Sequence, residues 1–509
     1  MSAQRAIPYV LFLVVIWTRG ISAGQLELRL GQVHESSFSS GQAQSFVVSL
    51  AEGDFAQIAM NPRGQVVIVK TYDPRGKPFR GAELGPEEDR LNFVAEGAGA
   101  YGVEVSAKDK HASGTYTLIE PIPGDRENMA VTFLFQGTGD THNVLVLWLP
   151  YVGVAPDEFL MERVGDSDVW YKTIKVNRKM RLAYTLAPNA ARLRPMSLGF
   201  DNDAITMTAA AARPDPLNPK RYRIDAESVD APEFRGNSVL EMPDAPPQPW
   251  ILPRPGIPAG RVLKFPFKSA SLNNEREIAV YLPTQYSPQT EPPPLIMLFD
   301  EDAYLSLIPT PTILDNLISE KRIPPVVALL VGNAPGDARD RELACNPEFD
   351  RALVNELLPW AHRQFNFTND PRRTVIGGSS RGGLAAACAG LWYPETFGNV
   401  LAQSGSFHII PSSSGEASDS GSEPNWLARR FISSPKKPLR FYLDTGSAEF
   451  NATGSADSIL FCTRTLRDVL RAKGYEVQFQ EFEGGHDYLS WRGTLADGLI
   501  ALLGGGAAQ

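Results

Sequence analysis

Apolar and polar residues alternate in short runs over the first part of the chain, at 26–30, 45–50, 66–72, 91–94, 101–105 and 114–119. Gly, Pro and Asp separate them, as in the turn Asp73 Pro74 Arg75 Gly76. A period of two, repeated at short intervals with almost no helical period, predicts a small β-sandwich over residues 25–120. The pattern resumes at 131–135, 143–148, 168–174 and 181–186, which predicts a second sandwich over 125–245. The proline-rich run 246–259 reads as a linker. From residue 260 to 505 the pattern changes. Fully apolar runs at 294–299 and 326–331 alternate with segments of helical period, such as 313–321 and 347–365, which predicts an α/β domain with a largely parallel sheet.

One stretch in that domain carries chemistry. The run 374–376 stops at two glycines, presents Gly378-x-Ser380-x-Gly382 and continues into the helix-forming 384–389. Strand, sharp turn and helix make a nucleophile elbow, in which small neighbours leave the serine hydroxyl exposed. Ser380 is the expected nucleophile. A serine needs a base, and of six histidines only His486 follows the last predicted strand, in the glycine-framed Gly484 Gly485 His486 Asp487. The acid should follow the strand at 440–444, where Asp444, Glu449 and Asp457 are candidates. Together these give an α/β-hydrolase domain. One oxyanion donor should be the backbone N–H of Arg381, and the second should come from the loop after Phe299 and Asp300, at the N–H of Glu301.

Length and charge change the picture little. The 509 residues allow several domains, and a net charge of −9 gives no reason to expect nucleic acid or an anionic membrane as a partner. Arg5, an apolar run from Ile7 to Trp17 and small residues around Ala23 read as a signal peptide over 1–23, so a periplasmic or secreted protein is expected, with no membrane contact after cleavage. Cys345, Cys388 and Cys462 form neither a disulfide framework nor a metal-ligand pattern, although one pair could bond. No metal site and no cofactor are expected. His34 and His111 read as surface residues. The polar, acidic segment 411–424 reads as a mobile loop near the site.

Several separated motifs resemble a known family. Asp215 Pro216 Leu217 Asn218 Pro219 and 238–246 resemble phrases of the N-terminal domain of enterochelin (ferric enterobactin) esterases. Leu298 Phe299 Asp300, Arg339-x-x-Glu342 Leu343, Cys345 Asn346, the elbow, Gln403 Ser404 Gly405 Ser406, and Gly484 to Asp487 followed by Trp491 Arg492 Gly493 continue the likeness in order. The first sandwich is similar to bacterial pre-peptidase C-terminal accessory domains, in which a phrase like Gly114 Thr115 Tyr116 opens a late strand. The leader and this extra domain are departures from the cytoplasmic, two-domain esterases of enteric bacteria.

The resemblance implies a serine esterase whose small-molecule substrate is a catecholate siderophore lactone, with iron arriving as part of that substrate. The family's Gly-x-x-Glu pattern is met by Gly446 to Glu449, which selects Glu449 as the acid, although some relatives work with a Ser–His pair. Arg381, Trp491 and Arg492 are candidate substrate contacts, the last two at the mouth of the site. Arg339 and Glu342 are expected to pair with each other. The rival readings are a carbohydrate-ester hydrolase such as a feruloyl or acetyl-xylan esterase, with the N-terminal sandwich holding a glycan or cell wall, and a non-catalytic binding protein on a hydrolase fold.

Overall fold

The computed structural model describes residues 7–13, 26–27, 32–38, 43–50, 55–61, 67–84, 90–107, 118–121, 125–148, 159–163, 168–191, 207–208, 210–222, 237–411, 425–449 and 458–504. His111, Asp457, the Gly114 Thr115 Tyr116 phrase and residues 412–424 of the expected mobile loop lie outside these. The chain divides into two compact units.

The first unit comprises 1–141, 161–176 and 215–219. Its five-stranded sheet runs Leu26–Glu27, Ala43–Leu50, Gly99–Ala107, Val67–Tyr72, Pro78–Leu84. The predicted alternation is visible in Phe46, Val48 and Leu50, and in Tyr101, Val103 and Val105, all buried, while the residues between them are more exposed. A four-stranded sheet orders Gln32–Phe38, Ile7–Leu13, Phe55–Asn61 and Arg90–Val94, so the core of the segment that reads as a leader is a strand here. A third sheet holds Leu118–Pro121, Asn128–Gln136, Val169–Asn177 and Glu162–Arg163.

The second unit comprises 142–160, 177–214 and 220–509. It contains a three-stranded sheet of Val144–Trp148, Arg181–Pro188 and Ser238–Glu241. The strands over 125–245 are thus divided between the two compact units.

Its main sheet has eight strands: β1 (Arg261–Ser269), β2 (Asn274–Leu282), β3 (Leu295–Phe299), β4 (Val327–Val331), β5 (Thr374–Ser379), β6 (Asn399–Gln403), β7 (Arg440–Gly446) and β8 (Glu476–Phe482). The order is β1-β2-β4-β3-β5-β6-β7-β8. β1–β2 and β2–β4 pair antiparallel, and the remaining pairs are parallel. Every residue of β3, β4, β5 and β6 is buried, which is why β3 and β4 read as unbroken apolar runs, while β5 and β6 carry buried polar residues at their ends. The helices are α1 (Glu301–Ser306), α2 (Thr310–Ser319), α3 (Ala338–Glu342), α4 (Pro347–Ala352), α5 (Leu358–His362), α6 (Arg381–Trp392), α7 (Trp426–Ser433), α8 (Ile459–Ala472) and α9 (Tyr488–Leu503).

The long helix expected over 347–365 is interrupted. A π-helical turn, Leu353–Leu357, joins α4 to α5 just ahead of Pro359. Proline lacks an N–H and crowds the preceding turn, and the wider turn accommodates it. Among the described residues no helix is long and apolar enough to cross a membrane. Cys345 and Cys388 form the one disulfide among the described residues, tying the turn before α4 to α6, while Cys462 is buried.

Candidate active site

β5 delivers the chain to Ser380, which sits at φ 56°, ψ −122°, and α6 begins at the next residue. Positive φ strains a non-glycine residue, and such strain persists only where surrounding structure enforces it. The neighbouring glycines allow that enforcement. A Cβ on Gly378 would lie 2.8 Å from the Gly382 carbonyl carbon, and one on Gly383 would lie 3.1 Å from Gly405 Cα. The Ser380 N–H donates to the Gln403 carbonyl (2.9 Å), and the Ser406 N–H donates to the Ser380 carbonyl (3.0 Å), so β6 and its following turn clasp the elbow.

Ser380 Oγ is 2.9 Å from His486 Nε2, and His486 Nδ1 is 2.5 Å from Glu449 Oε1. Glu449 is held in turn: its Oε2 accepts from Thr445 Oγ1 (2.8 Å) and from the Gly446 N–H (2.6 Å). The acid loop is zipped to the histidine loop by Ser447 N–H to Phe482 O (2.8 Å) and Ala448 N–H to Gly484 O (3.0 Å). Gly446 permits the approach, since a Cβ there would stand 2.4 Å from the Gly484 oxygen. Asp487, directly after the histidine, caps α9 by accepting from the Leu489 and Ser490 N–H groups. Its second oxygen accepts from the Ala183 N–H at 2.9 Å. Burial pushes the Asp487 carboxyl up to about 6.

The loop facing the elbow turns at Asp300, φ 57°, ψ 57°, just before α1. Both Asp300 carboxylate oxygens are taken by Arg339 (Nε–Oδ1 2.7 Å, Nη2–Oδ2 2.8 Å), and Asn333 Nδ2 donates to Oδ1 at 2.8 Å. A Cβ on Gly382 would be 3.4 Å from Phe299 Cβ and 3.6 Å from Asp300 Oδ2, so this loop lies against the start of α6. The N–H groups of Glu301 and Arg381 are the first of their helices and have no intrahelical acceptor.

Family models match two stretches: "Enterochelin esterase, N-terminal" over residues 130–251 and "Putative esterase" over 269–502. The iron(III) enterobactin esterase of Dickeya dadantii (strain 3937) is 33% identical over 370 residues, 69% of this chain and 80% of that protein. The chain belongs to the enterochelin esterase family. The iron(III) enterobactin esterase of Escherichia coli (strain K12) is 30% identical over 393 residues, 74% of this chain and 92% of that protein. Among solved structures, the enterobactin esterase of Shigella flexneri, crystallised in the presence of enterobactin, superposes with a TM-score of 0.61 at 28% identity, covering 76% of this chain and 95% of that one.

In this esterase the remaining expected residues fall in different places. Arg381 pairs with Asp340 (3.1 Å). Trp491 does not line a mouth: it is 2% exposed, donates its indole N–H to Ser404 Oγ (2.9 Å), and sets its ring edge-on to His486, centroids 4.8 Å apart. Its large apolar ring belongs to the core behind the histidine, a position the sequence pattern of α9 does not distinguish from its surface. Arg492 lies over the Tyr222 ring and donates from Nε to Gln248 Oε1 (2.8 Å). Arg339 and Glu342 do not pair with each other. Arg339 serves Asp300, whereas Glu342 receives both Arg276 nitrogens (2.8 and 2.9 Å) and Asn274 (2.7 Å).

The side chain of Glu301 is 5% exposed beside Lys264 Nζ (3.0 Å); burial raises its carboxyl against the pull of that lysine. Asp444 is fully buried and accepts from the Ser404 N–H (3.0 Å). Burial, with the nearby Glu449 charge adding to it, pushes its carboxyl up to about 8. It serves the strand end, not the histidine. Sequence reasoning missed the polar layer beneath the site: Tyr304 donates to Gln403 Oε1 (2.8 Å), and Gln403 Nε2 donates to the Trp491 carbonyl (2.8 Å) and to Thr494 Oγ1 (2.7 Å). Buried glutamine at a strand end is the one signal that could have pointed to it.

Proposed function

We propose that the protein is a serine esterase that opens the ester bonds of an enterobactin-type catecholate trilactone through an acyl-enzyme. The observation that carries this reading is the continuous hydrogen-bonded chain Ser380–His486–Glu449 on a strained elbow, in a chain of the enterochelin esterase family. Glu449 holds the Nδ1 proton and leaves the Nε2 lone pair facing Ser380 Oγ. As Oγ attacks the ester carbonyl, Nε2 takes its proton. The oxyanion forms between the N–H groups of Arg381 and Glu301, each at the positive end of a helix. The serine-side alcohol leaves with the proton from Nε2, and water repeats the sequence to free the acid. Iron, where present, enters with the substrate.

Export to an oxidising compartment belongs to the same proposal. The sequence pattern of Arg5, the apolar run from Ile7 to Trp17 and the small residues around Ala23 supports it, as does the Cys345–Cys388 bond, since such bonds persist outside the reducing cytosol. Mass spectrometry of the mature N-terminus from a periplasmic fraction tests it: a chain still carrying Met1 would argue against cleavage. The N-terminal strands, read as two sandwiches with a glycan-holding role for the first, are tested by affinity electrophoresis on cell-wall polysaccharide.

The test of the activity compares wild type with Ser380→Ala on apo- and ferric enterobactin and on methyl ferulate, with products resolved by liquid chromatography and mass spectrometry. Dihydroxybenzoyl-serine units released by wild type alone are the expected result. Turnover of ferulate alone would transfer the protein to plant-wall esters.

A further inference from the structure

The nucleophile has a second hydroxyl partner that the triad does not use. Ser406 Oγ is 3.1 Å from Ser380 Oγ, and Ser406 is 3% exposed. Its backbone is fixed on both sides of the peptide unit. Its N–H is bonded to the Ser380 carbonyl (3.0 Å) and its carbonyl accepts from the Ile409 N–H (3.0 Å). The turn before it contains Ser404 at φ 47°, and Gly405, where a Cβ would stand 2.3 Å from the Phe407 ring. The backbone of Ser406, held this way beside the elbow, places its hydroxyl within hydrogen-bond reach of Ser380 Oγ.

Hydrogen counting sets the direction of the bond. Glu449 accepts, so with a neutral imidazole the ring proton is on Nδ1 and Nε2 presents a lone pair. The single hydrogen of Ser380 then goes to Nε2, and the hydrogen between the two serines must come from Ser406. We propose that Ser406 is a catalytic residue that donates a hydrogen bond to Ser380 Oγ as that oxygen leaves the acyl group. The inference rests on the reading of Ser380 as nucleophile and deepens it.

The two halves of the reaction use this bond differently. During acylation Ser380 Oγ gives electron density to carbon, and a donor on it helps little or slightly opposes attack. During deacylation water adds to the acyl carbon, giving its proton to His486. The C–Oγ bond then breaks with its electron pair passing to Oγ, which takes the proton back from Nε2. Ser406 keeps its own proton throughout and stabilises the charge growing on Oγ. Its hydrogen bond is therefore strongest where Oγ is the leaving group.

Ser406→Ala should slow deacylation selectively. With p-nitrophenyl acetate, kcat is expected to fall about 10-fold, the loss of one hydrogen bond to a charged oxygen. KM should fall in parallel, kcat/KM should stay within about twofold, and intact-mass spectra should show enzyme carrying one acetyl group on the Ser380 peptide. Ser406→Thr, which keeps the hydroxyl, should restore kcat, and thermal melts of both variants report folding. Should the alanine variant not fold, Ser406→Cys, with its weak donor, must show the same accumulation. Equal losses in kcat and kcat/KM without acyl-enzyme, or no change at all, would overturn the role of Ser406 while leaving Ser380 intact. If wild type carries no acetyl on Ser380, or Ser380→Ala is acetylated as well as wild type, the nucleophile reading fails and this one with it.

Discussion

Replacing Glu449 by glutamine separates two roles that the structure gives this side chain. One carboxylate oxygen, Oε2, anchors the acid loop through the Gly446 N–H (2.6 Å) and Thr445 Oγ1 (2.8 Å); the other, Oε1, meets His486 Nδ1 at 2.5 Å. A backbone N–H can only donate, so in Glu449→Gln the amide oxygen must take the Oε2 position, and the NH2 group must face the histidine. Nδ1 then accepts, the ring proton moves to Nε2, and Nε2 points a hydrogen at Ser380 Oγ instead of a lone pair. The base is disabled while the loop keeps every anchoring bond.

A wrong tautomer in a serine-hydrolase triad costs about 10^3- to 10^4-fold in kcat, or roughly 4–5.5 kcal/mol of transition-state stabilisation. Steady-state hydrolysis of p-nitrophenyl acetate by Glu449→Gln, with the labelling rate by a fluorophosphonate as a second readout, should show both falling together at unchanged melting temperature. Were Glu449 only a loop anchor, glutamine would be nearly neutral. A variant keeping more than about a tenth of wild-type kcat would refute the argument, because a misplaced proton cannot cost so little.

Arg339→Leu leaves the buried Asp300 carboxylate without its bidentate partner, so a loss of about 3–5 kcal/mol in urea unfolding is expected, with kcat falling as the Glu301 N–H shifts. The double variant Asp300→Leu, Arg339→Leu should recover much of the stability but not kcat; recovery of both would remove this pair from the oxyanion argument. Asp444 holds its proton up to about pH 8 when folded but only to about 3.8 when unfolded. Its contribution is fully present below pH 3.8 and is lost as pH rises toward 8, so Asp444→Asn, which cannot ionise, should gain on wild type by at least about 1 kcal/mol between pH 5 and 8.5. A melting-temperature gap independent of pH would contradict that sign. The Cys345–Cys388 bond closes a separation of 43 residues, for which loop entropy gives about 4 kcal/mol, so urea midpoints with and without reductant should differ accordingly, and a Cys345→Ser, Cys388→Ser variant should ignore reductant.

What was legible in the sequence was local. The elbow could be read because its strand, glycines and helix are contiguous and each is demanded by sterics around Ser380. The apolar runs of β3 and β4 could be read because burial on both faces leaves no polar position in them. His486 was legible from its place after β8, whereas among the candidate acids Glu449 was singled out only by the Gly-x-x-Glu pattern of the family that the chain resembles. Partner choice over long range was not. Arg339 and Glu342 are three residues apart, as if on one helix face, yet Asp300 stands 39 positions from Arg339 and Arg276 stands 66 from Glu342, and both pairings depend on sheet register. Ser406 stands out only as part of a phrase, because nothing in Gln403 to Ser406 says that β6 will clasp the elbow. The burial of Trp491 is of the same kind.

The proline-rich run between the two family-model matches is packed against the loop that carries His486. That run was read as a spacer, yet Gln248 within it donates to the Leu489 carbonyl (2.7 Å) and receives Arg492. Upstream, the strand Arg181–Pro188 donates from Arg181 N–H to the Glu483 carbonyl (3.3 Å) and from Ala183 N–H to Asp487. Three contacts therefore grip the loop carrying His486, at residues 483, 487 and 489, and all three come from chain that precedes β1. Asp487 is fully buried, so an ionised Asp487 depends on those N–H donors to offset its desolvation. His486 is thus held from three directions: Glu449 at Nδ1, the Trp491 edge against its ring, and the strand Arg181–Pro188 through Asp487. In this esterase one strand of the three-stranded sheet thus braces the loop of His486, and the compact unit that holds Ser380, His486 and Glu449 begins well before the α/β pattern does.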